Sequence, residues 1–383
     1  MSKEISSPYA QFRDLKALYV TDISSLAWCE QQFHYSLHAG GRTETTEMKA
    51  GSDIHLKLEL EVHDLIKVSI ETSEDLWGLK LFNLLFGLEA LRTTGETREL
   101  PIFGFVSDIF VFGIIDQIKK FSNRRIRKNN DWEWRICDTK TRSKCFRPKK
   151  SDVPSSVKYQ IMLYKKLFDN LAEGSIEEER IFEVLDLDAD KPFSKKFSKY
   201  IKIYFSNNKK LNTLRKLMAF IKNYFGFFWK SSNVLEVNYK YQGDGSDLGS
   251  LYFEYEEDML DKHLKRSIIY WKGDREPEGV PIEEAWKCQI CEYAENCEWR
   301  LKKSSNVLEV NYKYQGDGSD LGSLYFEYEE DMLDKHLKRS IIYWKGDREP
   351  EGVPIEEAWK CQICEYAENC EWRLKKVREI EQR

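Results

Sequence analysis

The chain predicts a mixed sheet flanked by helices, an α/β fold with α+β layering. Three observations predict it. Helical patterns fill residues 22–91, strand-like runs cluster between 98 and 139, and helices resume at 157. In order, Asp22 to Leu37 offers an Asp N-cap and apolar residues at Leu26, Phe33 and Leu37, predicting a helix that bears Cys29. Thr45 to Ile66 predicts a longer helix with Gly51 and His55 near its start, and Asp75 to Leu91 a third. Strands are expected at Arg98–Phe103, Phe105–Ile115, Ile118–Phe121 and Trp132–Thr139, with Asn123 to Asp131 as a basic hairpin tip. Val157 to Asn170 predicts a helix, and Ile181 to Leu187 one more strand.

The chain has 383 residues, enough for one or two domains, and is rich in aromatics with only 9 Pro, which argues against disorder. Met1 to Val20 mixes acids and bases without an apolar stretch, so no secretory or clear mitochondrial signal is expected. No run approaches a membrane span. The expected location is nucleus and cytoplasm, where 9 cysteines bind metal or lie buried.

Residues 231–303 recur letter for letter as 304–376, followed by a tail, 377–383. Each copy holds 10 Lys+Arg and 16 Asp+Glu, so the net charge of −5 becomes −5 + 12 = +7 on residues 1–230, the tail being neutral. Two identical units fit a recent duplication or a gene-model artefact better than a solenoid, leaving 383 − 73 = 310 unique residues. The expected organisation is one domain over 1–303 and a tandem copy over 304–376. Each copy predicts a strand (Val234 to Tyr241), a turn at Gly243-Asp244-Gly245, a helix over Glu256 to Trp271, and a cysteine-rich close.

Chemistry concentrates in Gly113-Ile114-Ile115-Asp116 and Cys137-Asp138-Thr139-Lys140. Asp116 closes an apolar run, and Asp138 and Lys140 alternate on one strand face. Side by side, they place two carboxylates and an ammonium in one pocket. Such carboxylates repel unless a cation sits between them, the arrangement by which hydrolases hold Mg²⁺ against a phosphodiester. The lysine can orient water or neutralise charge developing on phosphate. D-x-K alone also describes a strand-end salt bridge.

Cys288-x-x-Cys291-x5-Cys297, copied as Cys361, Cys364 and Cys370, supplies three thiolates that need a fourth ligand. Zinc and an iron–sulfur cluster both suit the spacing, with Cys29 as the remote candidate. Cys137 and Cys145 read as structural or incidental. His34, His38, His63, His263 and His336 read as packed or solvated residues, as does His55 when taken alone. Lys191 to Lys230 contains eleven Lys/Arg, eleven Phe/Tyr/Trp and no acid. Interleaved cations and rings suit single-stranded nucleic acid, with Lys195, Lys196, Lys199 and Lys202 as contacts; a helix pair with aromatics in the core is the alternative.

Together the pieces resemble the exonuclease V (Dem1-type) family of RecB-like PD-(D/E)XK nucleases. They are Val20-Thr21-Asp22 through Trp28-Cys29-Glu30-Gln31-Gln32, Gly51-x3-His55, Arg98-Glu99-Leu100-Pro101-Ile102-Phe103-Gly104, Gly113 to Asp116, Asp138-Thr139-Lys140-Thr141-Arg142, Gln160-x3-Tyr164, and Tyr270-Trp271 through Cys288 to Cys297-Glu298-Trp299-Arg300. The resemblance implies a PD-(D/E)XK sheet with an iron–sulfur-stapled helical periphery and Mg²⁺-dependent cleavage of single-stranded DNA from an end, in DNA repair or genome maintenance. It implies His55, Asp116, Asp138 and the Thr139 carbonyl as metal ligands, Lys140 as the catalytic lysine, and Gln160 and Tyr164 lining the pocket. It also implies a [4Fe-4S] cluster on Cys29, Cys288, Cys291 and Cys297, with Cys361, Cys364 and Cys370 as an alternative triple. Expected partners are single-stranded DNA and a single-strand DNA-binding protein, with no membrane and a monomeric chain. The competing reading is a non-catalytic single-strand-binding protein with a zinc knuckle.

Overall fold

The computed structural model describes residues 7–41, 45–60, 68–122, 132–149, 153–204, 211–300 and 307–381. The chain divides into two units, Met1–Leu301 and Lys302–Arg383. The first is built on a six-stranded mixed sheet, ordered β1 (Leu18–Tyr19), β3 (Ile109–Ser122), β4 (Trp132–Arg142), β5 (Val234–Tyr241), β6 (Asp247–Glu254), with β2 (Glu96–Val106) also paired to β3. The fold class read from the sequence is what the structure shows.

The hairpin β2–β3 turns at Ser107 and Asp108, whose φ values of 45° and 70° are those of a tight two-residue turn matched to strand twist. Both strands therefore run longer than expected. β2 passes through Gly104, where a break between strands is expected, and Ile118 to Phe121 continues β3 without interruption. Asn123 to Asp131 lies outside the described residues.

Long β3 pairs along one edge with β2 throughout. Along its other edge it pairs first with β1, parallel, at Val111 and Phe112, and then with β4, antiparallel, from Gln117 to Ser122. Between those pairings the edge opens, because β4 diverges after Cys137 to pair parallel with β5. Helices α2 (Val20–Ser24) and α6 (Ser155–Ala172) pack into the opening. Gly113 permits their approach: a Cβ there would stand 2.7 Å from both Val20 and Tyr164.

Each helix follows from capping and period. In α5 (Ser73–Thr94), Thr72 accepts the Asp75 amide at the start, and Gly95 ends the helix in the left-handed region at φ 83°. Its buried Leu81, Leu84, Leu85, Leu88 and Leu91 form one stripe. α6 buries Val157, Ile161, Tyr164, Phe168 and Leu171 in the same way. The helix expected over Asp22 to Leu37 is instead α2, a single 3₁₀ turn at Ser25–Ala27, and α3 (Glu30–His38). Cys29 is consequently an N-cap, its sulfur accepting the Gln32 amide, rather than a mid-helix residue. His55 lies on α4 (Thr46–Leu60), and His63 falls outside the described residues.

Ile181 to Leu187 is not a strand. It lies in helix α7 (Glu178–Leu185), whose buried Ile181, Phe182 and Leu185 follow the helical period. The first repeat copy also holds a strand beyond expectation: the turn at Gly243 to Gly245 joins β5 to β6, and only then does α10 (Glu257–Lys272) begin. That copy belongs to the main core, where Leu235, Val237, Leu260, Tyr270 and Trp271 are all buried with the residues of the sheet.

The second unit, described by itself, repeats the hairpin as β7 (Val307–Lys313) and β8 (Asp320–Glu327), followed by helices Glu330–Trp344 and Glu371–Glu381. No helix among the described residues is long and apolar enough to cross a membrane.

Candidate active site and cysteine pocket

The opening between β3 and β4 gathers the acids. Asp116 stands on β3 beside the point of divergence, and the Thr139 amide, freed from the ladder, donates to its Oδ2 at 2.8 Å. Asp138, on β4 opposite Asp116, is 1% exposed. Lys140 Nζ lies 2.9 Å from Asp138 Oδ2 and donates to Gln160 Oε1 at 3.3 Å, while Gln160 Nε2 donates to the Tyr164 hydroxyl at 3.2 Å. Gln160 and Tyr164 are one turn apart on α6, so one helix face lines the pocket wall.

From the other side α4 brings His55. Its Nε2 is 3.0 Å from the Thr139 carbonyl, and its Nδ1 lies 3.7 Å from Asp116 Oδ2 and 3.9 Å from Glu99 Oε1. A proton on Nε2, given to the carbonyl, leaves the Nδ1 lone pair facing the carboxylates. Among the described residues, His55, Glu99 and Asp116 are the one group of three His, Cys, Asp or Glu ligand atoms lying within 4.8 Å of one another.

Glu99 is the residue that sequence reasoning missed. It falls in β2 between the Arg98–Gln117 and Leu100–Ile115 pairs, opposite Asp116, with a left-handed φ of 49°. For a glutamate inside a strand this conformation is strained, and such strain gathers at sites where a side chain must be re-aimed. The signal available was the Ser107–Asp108 turn, which sets the register pairing 99 with 116.

Burial and mutual repulsion dominate the electrostatics. Asp138 is pushed up to about 7, chiefly by burial and then by Asp116, against the pull of Lys140. Burial raises Asp116 also, opposed by Lys140 and His55. Burial acts to lower Lys140, but Asp138 and Asp116 outweigh it and hold the ammonium above its ordinary value. His55 is raised, most by the nearby Glu99 carboxylate. Apart from the ion pair with Lys140, both Asp138 oxygens are buried with no hydrogen-bond donor. Buried carboxylate oxygens left this way suit a cation, so the donor set fits a divalent metal.

A second pocket holds the four cysteines. Cys29, Cys288, Cys291 and Cys297 line it together with Trp28, Val280 and Trp299. Protein contacts assemble it. Glu30 is held below the usual carboxylate range by Arg275, against the cost of burial, and also binds Arg266 and the Glu278 amide. The Gln31 amide donates to the Glu278 carbonyl at 3.1 Å, and Lys287 Nζ to the Trp28 carbonyl at 3.2 Å. Trp299 lies flat on Gly279, where any Cβ would collide with the indole at 2.0 Å, and donates to the Val280 carbonyl. Burial, and then Cys288, raise the Cys29 thiol. Cys137 is buried and pushed up by burial, and Cys145 is exposed; neither lines this pocket.

The basic aromatic stretch divides: Phe227 and Trp229 are exposed, while other rings are buried. Phe193, Phe197, Phe225 and Phe228 are buried in the core, so these rings are not free to stack on bases. Acids elsewhere in the fold answer several cations: Lys191 pairs with Glu74, Lys196 with Glu71, Arg215 with Glu179 and Asp190, Lys222 with Glu178, and Lys230 with Glu173. Lys195, Lys199 and Lys202 lie exposed on α8 (Lys195–Tyr204). Of the remaining histidines, His34 bonds the Tyr270 hydroxyl, and His263 bonds the Ile23 carbonyl and stacks on Tyr159. Both serve packing.

A family profile described as "Exonuclease V - a 5' deoxyribonuclease" matches residues 7–133, 123–300 and 301–373, the last falling on the second repeat copy. The zebrafish (Danio rerio) protein named Exonuclease V is 31% identical over 306 residues, covering 78% of this chain and 73% of its own. The Debaryomyces hansenii protein named Exonuclease V, mitochondrial, is 22% identical, covering 92% and 74%. A solved structure titled "Crystal structure of SSO0001" aligns over 75% of this chain and 87% of its own, with TM-score 0.30 and 11% identity, too weak a likeness to carry an argument. The profile spans most of the chain, and the zebrafish relative is covered over nearly three quarters of its length: the chain belongs to the exonuclease V family.

Proposed function

We propose that this protein is a divalent-metal-dependent exonuclease that removes nucleotides from the 5′ end of single-stranded DNA, with Mg²⁺ as the working ion, in DNA repair or genome maintenance. One observation carries the reading. Two carboxylates, an imidazole and an ammonium converge where β3 and β4 part, and Oδ1 of the deepest carboxylate, Asp138, is buried with no hydrogen-bond donor. His55 Nδ1, Asp116 and Asp138 would hold the ion, with the Thr139 carbonyl beside them. A bound divalent cation supplies Lewis acidity toward phosphate and lowers the pKa of water. Lys140, anchored between Asp138 and Gln160, holds its ammonium toward the site, where it can orient water or offset charge on the leaving oxygen. Tyr164 fixes Gln160, and Gln160 fixes Lys140.

Preference for a single strand follows from depth. Asp138 is buried, and the adjoining cavity is lined by His55, Glu99, Lys140, Thr141 and Gln242. A flexible strand can thread a phosphate to that depth more readily than a stiff duplex. Lys195, Lys199 and Lys202 are proposed to contribute phosphate contacts away from the chemistry.

The four cysteines are proposed to hold a structural [4Fe-4S] cluster. Convergence of the four thiols, Cys29 with Cys288, Cys291 and Cys297, on one pocket lined by Trp28 and Trp299 supports this reading. Cleavage of 5′-labelled and 3′-labelled single strands and of a blunt duplex, each with Mg²⁺ or with EDTA, tests the proposal. Metal-dependent release of label from the 5′ end of the single strand is expected, and equal degradation in EDTA would overturn it.

A further inference from the structure

The two repeat copies are identical in sequence but not in surroundings. Their hairpins pair in the same register: Val234 pairs Glu254 and Lys240 pairs Asp247 in the first, and Val307 pairs Glu327 and Lys313 pairs Asp320 in the second. In the first copy β5 also pairs parallel with β4 from Cys137 to Arg142, burying Leu235 and Val237 completely. Their counterparts Leu308 and Val310 are 45% and 40% exposed, and β7 belongs to a sheet of two strands only. The helix tells the same story: Trp271 is 0% exposed and Trp344 is 83% exposed. The second copy thus presents a formed strand edge and an apolar face whose complementary surface is already known, because the first copy occupies it.

We propose that the second copy is a spare for the first, able to seat on the β4 edge and against α6 of its own chain while residues 231–303 loop out. Residues 1–230 joined to either copy spell one and the same polypeptide, so the docked interface is the same in both states. Only the connection distinguishes them. Seating the second copy closes a 73-residue loop, which lowers its weight by about six hundred-fold on loop-closure entropy. The first copy therefore holds the site in the intact chain. A lesion weakening its docking by more than that factor inverts the occupancy. A second chain could compete for the exposed face, but the copy on the same chain has the higher effective concentration. If the cysteine pocket holds a cluster as proposed above, the exchanged state offers Cys361, Cys364 and Cys370 to Cys29.

Hydrogen exchange on the full chain tests this without reference to metal or activity. Leu235→Asp places a carboxylate at a fully buried docking position and marks first-copy peptides by mass. The amides of residues 137–142 should stay protected, those of 307–313 should gain protection, and the marked 234–241 should lose it. Leu308→Asp should change nothing on β4, and Leu235→Asp with Leu308→Asp should strip its protection. The proposal is overturned if Leu235→Asp alone exposes β4 or leaves the chain insoluble. It is equally overturned if the marked copy stays protected, or if protection of 307–313 appears only in a concentration-dependent oligomer.

Discussion

Glu99 stands across the β2–β3 ladder from Asp116, and His55 Nδ1 faces both carboxylates, at 3.9 Å from the first and 3.7 Å from the second. Glu99 reaches that place only through a left-handed backbone, φ 49°. Its proposed part is to orient the imidazole and add negative charge to the site. Glu99→Gln should weaken Mg²⁺ activation of cleavage by about 10–100-fold, the usual cost of losing a group that orients a metal ligand. Titration of Mg²⁺ against cleavage rate checks this, with binding of a single strand in EDTA expected to stay unchanged. An unaltered Mg²⁺ requirement would remove Glu99 from the site.

Much of the site was legible in the sequence because alternation places Asp138 and Lys140 on one face, and an apolar run ending in Asp116 marks a buried strand. The position of Glu99 was not legible, because Gly104 invites a strand break that the chain does not make. The true turn uses Ser107 and Asp108, neither a glycine, so the register follows only once the turn is known. Ile181, Phe182 and Val184 are strand-favouring in type, whereas the buried Ile181, Phe182 and Leu185 are helical in spacing, and three residues are too few for that spacing to stand out in the sequence. The cations of 191–230 looked unanswered because their acids, Glu71, Glu74 and Glu179 among them, are neighbours only in the fold.

The raised Asp138 predicts how metal-free protein responds to pH. Its folded value near 7 exceeds its ordinary 3.8, so folding takes up a proton between the two. The stability this group contributes is full below about pH 4 and is lost as pH rises through 7. Thermal melts in EDTA should fall between pH 6 and pH 8, on the order of 2–4 °C for each kcal/mol lost. Asp138→Asn should flatten the fall. Mg²⁺ should stabilise the native chain more at pH 8, where its ligands are ionised, than at pH 6.

Cys29→Ala should remove iron from protein prepared without oxygen, whereas Cys137→Ala should leave it in place, since Cys137 lies outside the cysteine pocket. Cluster ligation would tie positions 288 − 29 = 259 residues apart, so its loss should also lower the melting temperature. Glu30 and Arg275 still join α3 to the loop after α10, so α3 should keep part of its hydrogen-exchange protection. Iron content by metal analysis and the visible absorption spectrum check the assignment, and stoichiometric zinc in place of iron would contradict it.

Replacing Lys195, Lys199 and Lys202 with Gln should reduce the salt dependence of single-strand binding by roughly 0.7 in slope for each phosphate no longer neutralised. Lys196→Gln should do less, because Lys196 is already engaged by Glu71 at 2.7 Å. Binding isotherms over a series of salt concentrations measure the slope. An unchanged slope would make α8 an ordinary solvated face.

The most direct measurement is single-turnover cleavage of a 5′-labelled single strand in Mg²⁺ by Asp138→Ala, with strand binding measured alongside. Asp138 provides the buried oxygens on which the proposed metal site rests. The account predicts that cleavage is lost while binding in EDTA stays near that of the unaltered protein. Near-native cleavage by Asp138→Ala would contradict it.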